Sequence, residues 1–512
     1  MKFKGAIAAG HPETAAAAAA VLEEGGNAFD AVLAGLCAAC VAEPVLASLG
    51  GGGFLLARSA GGETALYDFF AQTPKARGKG EGDFFPILAD FGDAQQEFHV
   101  GMGSMATPGV VKGLFRVHAE LCSMPMARIV EPAAALARKG VRVNRLQAYI
   151  FEIVGKIYTS NDACRAAYGG AMKEGGTLAM PDLAGALEAL AREGGDLFYR
   201  GEMAGRLADD CRTGGGRLTL ADMADYRVIK RKPLEFGFQG ARLFTNPPPS
   251  SGGVLIAFAL ELLKGAALET VEFGSGAHLE RLAKAMALTN KARLDSRLHE
   301  SGEDAAETLL NPEFLETYRR QVLGRPVSMR GTTHISVIDG NGAAAALTVS
   351  NGEGSAYIIP GSGVMVNNML GEEDINLHGF HQWPEDTRMC SMMAPTLALK
   401  AGGEEVILGS GGSNRIRTAI LQVLLNLLQF GMDAEAAVAA PRIHFENDLL
   451  NMENGVGEEA VKILAGSFPQ TKMWSGKNLF FGGVHSVTFN PSTGEFKGVG
   501  DERRGGVAVT VP

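Results

Sequence analysis

The residues with the clearest chemical potential are Gly331-Thr332-Thr333-His334, preceded by Ser328-Met329-Arg330 and running into Ile335 to Ile338. A threonine hydroxyl is a weak nucleophile while its amine is locked in a peptide bond. If the Gly331–Thr332 bond breaks, Thr332 gains a free α-amine that can take the proton from its own hydroxyl. Such an amine titrates at about 7.7 to 8.0, so a useful fraction is neutral near neutral pH. The same residues also suit the start of a β-hairpin. The Ile-Ser-Val-Ile alternation fits a pleated strand, and Asp339-Gly340-Asn341-Gly342 supplies a turn. The triplet alone does not separate a nucleophile from a strand edge.

Whatever Thr332 does, other elements must hold it. Residues 13–24 and 28–42 read as two helices, the first alanine-rich and stopped by Gly25-Gly26, the second ended by Pro44. Gly50 to Gly53 lead into a buried strand, Phe54 to Ala57. They lack the Lys-Ser/Thr of a phosphate-binding loop, and a strand follows where a helix would be required. Residues 75–98 read as a charged, glycine-rich surface excursion. Helical periodicity returns over 103–121 and 129–139 and continues to about Arg212, with strands expected between Leu234 and Phe244. Asn246-Pro247-Pro248-Pro249-Ser250-Ser251-Gly252-Gly253 forms a rigid turn before a helix over 254–263, whose start could hold an anion or simply be capped. Helices over 276–299 and 311–323 come next. After the threonines, strands are expected at 343–350, 357–359, 364–366, 393–399, 406–408, 484–489 and 507–511, with a loop at 367–388. Gly409-Ser410-Gly411-Gly412-Ser413-Asn414-Arg415 opens a helix over 416–430 and aims backbone N–H groups above its start. Helices fill the chain up to residue 330 and strands crowd the remainder, which suits two sheets flanked by helix layers.

Composition narrows the function. The chain has 512 residues, 46% hydrophobic and 20% charged, so it is globular and large enough for a sizeable core. A net charge of -10 without a basic segment argues against nucleic acid, and the partner expected is a small molecule. Six cysteines make no disulfide framework, and Cys37 and Cys40 read as core cysteines rather than a redox pair. The N-terminus has no apolar secretory core, and no apolar run reaches the ~18 residues of a spanning helix. These features predict a cytoplasmic protein with no membrane association. Glu372, Glu373, Asp374, His378 and His381 match no standard zinc spacing and read as a solvated loop. Nothing calls for a metal or an organic cofactor.

Several stretches together resemble the gamma-glutamyltransferase family of N-terminal nucleophile hydrolases. They are Glu24-Gly25-Gly26-Asn27-Ala28-Phe29-Asp30-Ala31, Leu49-Gly50-Gly51-Gly52-Gly53-Phe54, Thr107-Pro108-Gly109, Pro247 to Gly253, Gly331 to His334, Ser391 to Thr396 and Gly409 to Arg415. They are collinear and cover almost the whole chain. The resemblance implies an α+β fold, a four-layer αββα sandwich, and an inactive precursor cut between Gly331 and Thr332. The products would be a large fragment, 1–331, and a small fragment, 332–512, intertwined in one domain, with a dimer of such pairs one option. It also implies a γ-glutamyl amide as substrate and a threonyl ester intermediate resolved by water or an acceptor amine. Backbone N–H groups of Gly412 and Ser413 fall at the family's oxyanion hole, each worth roughly 3 to 4 kcal/mol. Ser350 and Asn351 match, with a gap of one residue, the family's second hydroxyl and asparagine. Glycine at 331 is expected to permit a strained backbone. His334 is expected to be structural, since the amine already supplies the base.

The departures lie in the substrate pocket. Phe70, within Asp68-Phe69-Phe70-Ala71-Gln72-Thr73-Pro74, stands where the family usually has an arginine that clamps an α-carboxylate. Ser391-Met392 replaces a serine pair, and Met369 and Glu372 fall where the family often has Gln and Asp. An unpaired buried carboxylate costs roughly 2 to 5 kcal/mol, so the chemistry can persist while the acyl group changes. Arg388 or Arg415 could replace the missing clamp, or each could serve in an ordinary ion pair. Two alternatives therefore stand beside a γ-glutamyl enzyme: an acylase for a bulkier acyl amide, and an unprocessed binding protein.

Overall fold

The computed structural model describes residues 3–78, 80, 82–90, 95–296, 309–311, 314, 315, 318, 331–376 and 379–512. The strand Thr333–Asp339 is buried along its whole length, so both of its faces must be covered. Its period-2 alternation sends Ile335 and Val337 into one core and Ile338 into another. The strand lies in a seven-stranded antiparallel sheet whose order is Val507–Val511, Gly5–Ala9, Thr333–Asp339, Ala344–Ser350, Gly52–Arg58, Thr64–Phe69, Ile229–Arg231. A second, six-stranded sheet has the order Glu495–Val499, Gly483–Asn490, Glu405–Gly411, Thr396–Leu399, Ala241–Thr245, Leu234–Phe238. The two sheets face each other closely enough for Ser336 Oγ on one to donate to the His485 carbonyl on the other at 3.3 Å.

Helices cover the outer faces. The alanine-rich helices Pro12–Glu23 and Ala28–Ala42 pack on the first sheet, where small side chains permit close approach. A methyl at Gly35 would sit 3.2 Å from Ile335 Cδ1. Helices Gly252–Lys264, Gly276–Asp295 and Arg415–Leu428 cover the second sheet. The result is the four-layer αββα sandwich the sequence led us to expect.

Local motifs explain themselves in this frame. Asn27 caps the second helix by accepting from Phe29 and Asp30 N–H groups, and the helix start docks on the hairpin turn because Ala28 N–H donates to Asp339 Oδ2 at 2.9 Å. Cys37 and Cys40 are buried in that helix, and burial pushes the Cys37 thiol up to about 12.

Some boundaries differ from the sequence reading. Residues 75–98 are not all an excursion, because Phe85–Asp90 and Gln95–Val100 form a hairpin that buries Phe98 and Val100. The helix expected from 103 begins at Val110, since Pro108 stops an earlier start. The strand expected from 393 begins at Thr396, after Pro395. The helix expected to reach 299 ends at Asp295; residues 297–299, Ser328 to Arg330 and most of 311–323 lie outside the described residues. No helix among the described residues is long and apolar enough to cross a membrane.

Candidate active site

Thr332 enters a strand that is paired on both sides, with Ile335 opposite Ala9 and Thr333 opposite Val349. These ladders fix its position. Thr332 Oγ1 donates to the Gly331 carbonyl oxygen at 2.7 Å, and Ser350 Oγ, at the end of the neighbouring strand, donates to the same oxygen at 2.7 Å. That carbonyl oxygen thus accepts from two hydroxyls, one of them on the residue that directly follows it. On either side of this carbonyl, Gly331 N–H donates to Glu353 Oε1 at 3.1 Å, and the Thr332 carbonyl accepts from Arg504 Nη1 at 3.1 Å. Burial, and then the neighbouring Arg415, pull the Arg504 guanidinium down to about 10, which still leaves it charged at neutral pH.

The glycines here make room. A methyl at Gly331 would lie 2.8 Å from the Gly352 carbonyl oxygen, and one at Gly411 would lie 2.1 Å from the Thr332 carbonyl oxygen. Gly331 is not in the left-handed region, so its glycine answers a close approach rather than the backbone strain expected from sequence. Strain sits instead at Ser413, whose φ of 53° costs a non-glycine residue about 1–2 kcal/mol. Gly412 and Ser413 form the turn into the helix Arg415–Leu428, and their carbonyls accept from the N–H groups of Arg415 and Ile416.

A cleft enclosing about 360 Å³ of space open to solvent brings together Thr332, Gly331, Ser350, Ser413, Phe70, Met369, Glu372, Ser391 and Met392, joined by Ile375, Met393 and Ile416. Of the site residues proposed from sequence, Asn351 and Gly412 do not line it. Asn351 is fully buried, its side-chain amide nitrogen lies against Gly354, and neither amide atom has a hydrogen-bond partner.

Each wall of the cleft is built locally. Phe70 stacks on Phe54 with ring centres 5.4 Å apart, and Asp68 Oδ1 accepts its N–H at 3.0 Å. Asn376 holds the Met369–Glu372 loop by donating to the carbonyls of both end residues. The Pro247–Gly253 turn grips the opposite wall, because Ser250 Oγ and the N–H groups of Ser251 and Gly252 all donate to the Ser391 carbonyl. That helix start is therefore capped by the protein's own backbone and supports no anion site.

Neither alternative clamp reaches the cleft. Arg388 Nη1 pairs with Asp68 Oδ1 at 2.7 Å, Nη2 donates to the Arg227 carbonyl, and the guanidinium lies over the Tyr226 ring. Arg415 Nε donates to the Phe480 carbonyl, and the residue lines a separate cavity of about 450 Å³ that also touches Gly331. That cavity has an apolar wall of Val45, Leu46, Phe98, Ile150, Ile153 and Val154, and a polar wall that includes Glu353 and Arg504. His334 is buried between Thr348 Oγ1 and Ser336 Oγ, and burial holds its imidazole well below the usual range, so it is neutral and structural. His378 lies outside the described residues, among which no three His, Cys, Asp or Glu side chains gather as metal ligands.

The Gamma-glutamyltranspeptidase family model matches residues 14–511. The chain belongs to that family. A gamma-glutamyltranspeptidase-family enzyme from Escherichia coli K12, named glutathione hydrolase proenzyme, is 30% identical over 94% of this chain and 87% of its own. An acylase ACY 1 proenzyme from Pseudomonas sp. strain SE83 is 29% identical over 99% of this chain and 94% of its own. In fold, the chain is similar to the crystal structure of cephalosporin acylase from Bacillus halodurans, with a TM-score of 0.84 at 22% identity over 99% of this chain and 96% of that one. Its relatives thus include both a glutathione hydrolase proenzyme and an acylase proenzyme.

Sequence reasoning missed Glu353, Arg504 and Phe98. Glu353 stands between two glycines in Asn351-Gly352-Glu353-Gly354, a turn pattern that marks a placed acid. Arg504 and Phe98 carry no local signal, since only the tertiary fold brings Arg504 to the Thr332 carbonyl and Phe98 to the cavity that touches Gly331.

Proposed function

We propose that the chain cuts itself between Gly331 and Thr332 and that the freed Thr332 then cleaves an acyl amide. The observation that carries this reading is the paired donation of Thr332 Oγ1 and Ser350 Oγ to the Gly331 carbonyl oxygen. Thr332 Oγ1 adds to the Gly331 carbonyl carbon, the C–N bond breaks, and the nitrogen leaves with the hydroxyl proton. Water then hydrolyses the ester, giving a Gly331 carboxylate and restoring the hydroxyl. Ser350 stabilises the negative charge that develops on the carbonyl oxygen.

In turnover, the new α-amine takes the Thr332 proton and the oxygen attacks the substrate amide. The leaving amine departs protonated, and water or an acceptor amine releases the acyl group. Gly412 and Ser413 N–H groups are the oxyanion donors we assign by sequence position, and the place of Ser413 on the cleft supports that assignment. The products are a large fragment, 1–331, and a small fragment, 332–512.

The main substrate reading is a γ-glutamyl or related acyl amide. A second reading, a bulkier acyl amide without an α-carboxylate, is favoured by Phe70, Met369, Met392 and Met393 in a cleft whose described lining carries the Glu372 carboxylate and no lysine or arginine. A head group bearing a free α-carboxylate would meet no lysine or arginine on that described lining.

Denaturing electrophoresis tests the first step. We expect two fragments from the 53.7 kDa chain and a single intact band from Thr332→Ala, with acylase and transferase activity lost together. An intact wild-type chain indistinguishable from Thr332→Ala would overturn the enzyme reading. Comparing γ-glutamyl anilide with simple acyl anilides decides between the two substrates.

A further inference from the structure

We propose that Glu353 is a positioning residue for self-cleavage, acting by holding the Gly331 N–H so that the scissile carbonyl faces Thr332 Oγ1. This rests on the self-cutting reading above and adds a group that reading does not contain. Three backbone polar groups flanking the bond have protein partners: Gly331 N–H on Glu353, Gly331 C=O on Thr332 and Ser350, and Thr332 C=O on Arg504. The two outer contacts fix the ends of the dipeptide. With its N–H free, rotation about the two Gly331 Cα bonds could turn the Gly331 carbonyl away from both hydroxyls.

The carboxylate is aimed by a stiff loop. Glu353 is 2% exposed, and its own N–H donates to Asn368 Oδ1 at 2.9 Å. Gly352 and Gly354 flank it in the left-handed region, with φ of 64° and 91°. A methyl at Gly352 would lie 2.0 Å from Asn368 Oδ1 and 2.4 Å from Glu372 Oε1, so only glycine lets the loop pass there. Burying a carboxylate is unfavourable unless it is charge-balanced and hydrogen-bonded, and Arg415 and Arg504 line the same cavity as Glu353. A glutamate kept in such a place, on the N–H of the residue whose carbonyl faces Thr332 Oγ1, has a positional task. Misplacing a reacting group by about 1 Å costs on the order of a hundredfold in rate.

The test follows the full-length chain from intact precursor to fragments by denaturing electrophoresis, with mass spectrometry of the cut. Glu353→Ala should slow cleavage at least tenfold while its thermal midpoint stays near wild type. Glu353→Gln, which keeps an amide oxygen to accept the Gly331 N–H, should restore most of the rate. Wild-type speed in Glu353→Ala would overturn the inference and leave self-cleavage standing. Equal slowing in both variants, or slowing that tracks a lowered midpoint, would also overturn it, because it would show a need for charge or for stability rather than for an acceptor. A wild-type chain that never cuts after Gly331 would remove the inference together with the reading it rests on.

Discussion

The surroundings of the Gly331–Thr332 bond and the cleft in front of it are organised by different forces. Around the bond, the Gly331 N–H, the Gly331 carbonyl oxygen and the Thr332 carbonyl oxygen each have a protein partner within 3.1 Å. In the cleft, half of the lining residues are methionine, isoleucine and phenylalanine, with Glu372, Ser391 and Ser413 as the polar groups beside the Thr332 and Ser350 hydroxyls. Hydrogen bonds are directional and specify a geometry, whereas apolar contact specifies a volume. One region therefore specifies the geometry of a single bond, and the other leaves the group it would accept adjustable by small changes in side-chain size.

The largest effect expected on the hydrogen-bonded side is from Ser350→Ala. Removing one hydroxyl from the Gly331 carbonyl should slow self-cleavage by about 10²- to 10³-fold, read as the half-life of the intact chain. A half-life within twofold of wild type would mean that this donor does not act in the transition state.

Acid tests the packing behind the same region. His485 Nδ1 accepts the Asp501 N–H at 3.2 Å, and burial holds its imidazole down to about 4. The unfolded chain takes up that proton near pH 6.5 and the folded one does not, so stability is full above pH 6.5 and falls as pH drops toward 4. The loss reaches about 3 kcal/mol for this histidine. Urea midpoints of wild type and His485→Gln should converge in that window; parallel curves would place the acid sensitivity elsewhere.

On the apolar side, Phe70→Arg should sharpen the contrast by restoring a cation to the cleft. Turnover of an acyl anilide bearing an α-carboxylate should rise about tenfold relative to its uncharged analogue, roughly 1.4 kcal/mol of discrimination. A ratio that does not move would mean that position 70 does not face the acyl group. The smallest effect belongs to Ser413→Gly, which should stabilise the chain by about 1 kcal/mol by relieving its left-handed backbone, seen as a modest rise in the unfolding midpoint.

Much of this was readable from sequence where the signal was local. Alternation over Ile335 to Ile338 named a strand, Gly25-Gly26 named a helix end, and the collinear glycine blocks named the fold that brought Phe70, Met369, Glu372 and Met392 to one cleft. What was hidden depended on distance through the fold. Phe98 looked like part of a surface excursion because only the hairpin partner shows which face it buries. Arg388 and Arg415 looked like candidate clamps because sequence does not reveal that Asp68 and the Phe480 carbonyl already hold them. Gly331 was read as a point of strain because spacing cannot show the Gly352 carbonyl pressed against it.

The strand Gly5–Ala9 lies between Val507–Val511 and Thr333–Asp339, so a segment from one end of the chain is sandwiched by two from beyond residue 331. A cut after Gly331 therefore releases nothing by itself, since the two pieces remain woven through ten register pairs on that strand's two sides. Reassembly after denaturation is another matter: a unimolecular search becomes an encounter between two polypeptides, at whatever concentration each happens to have. Folding first and cutting afterwards would make maturation a ratchet. The matured enzyme is expected to owe its lifetime to slow unfolding rather than to a reversible equilibrium.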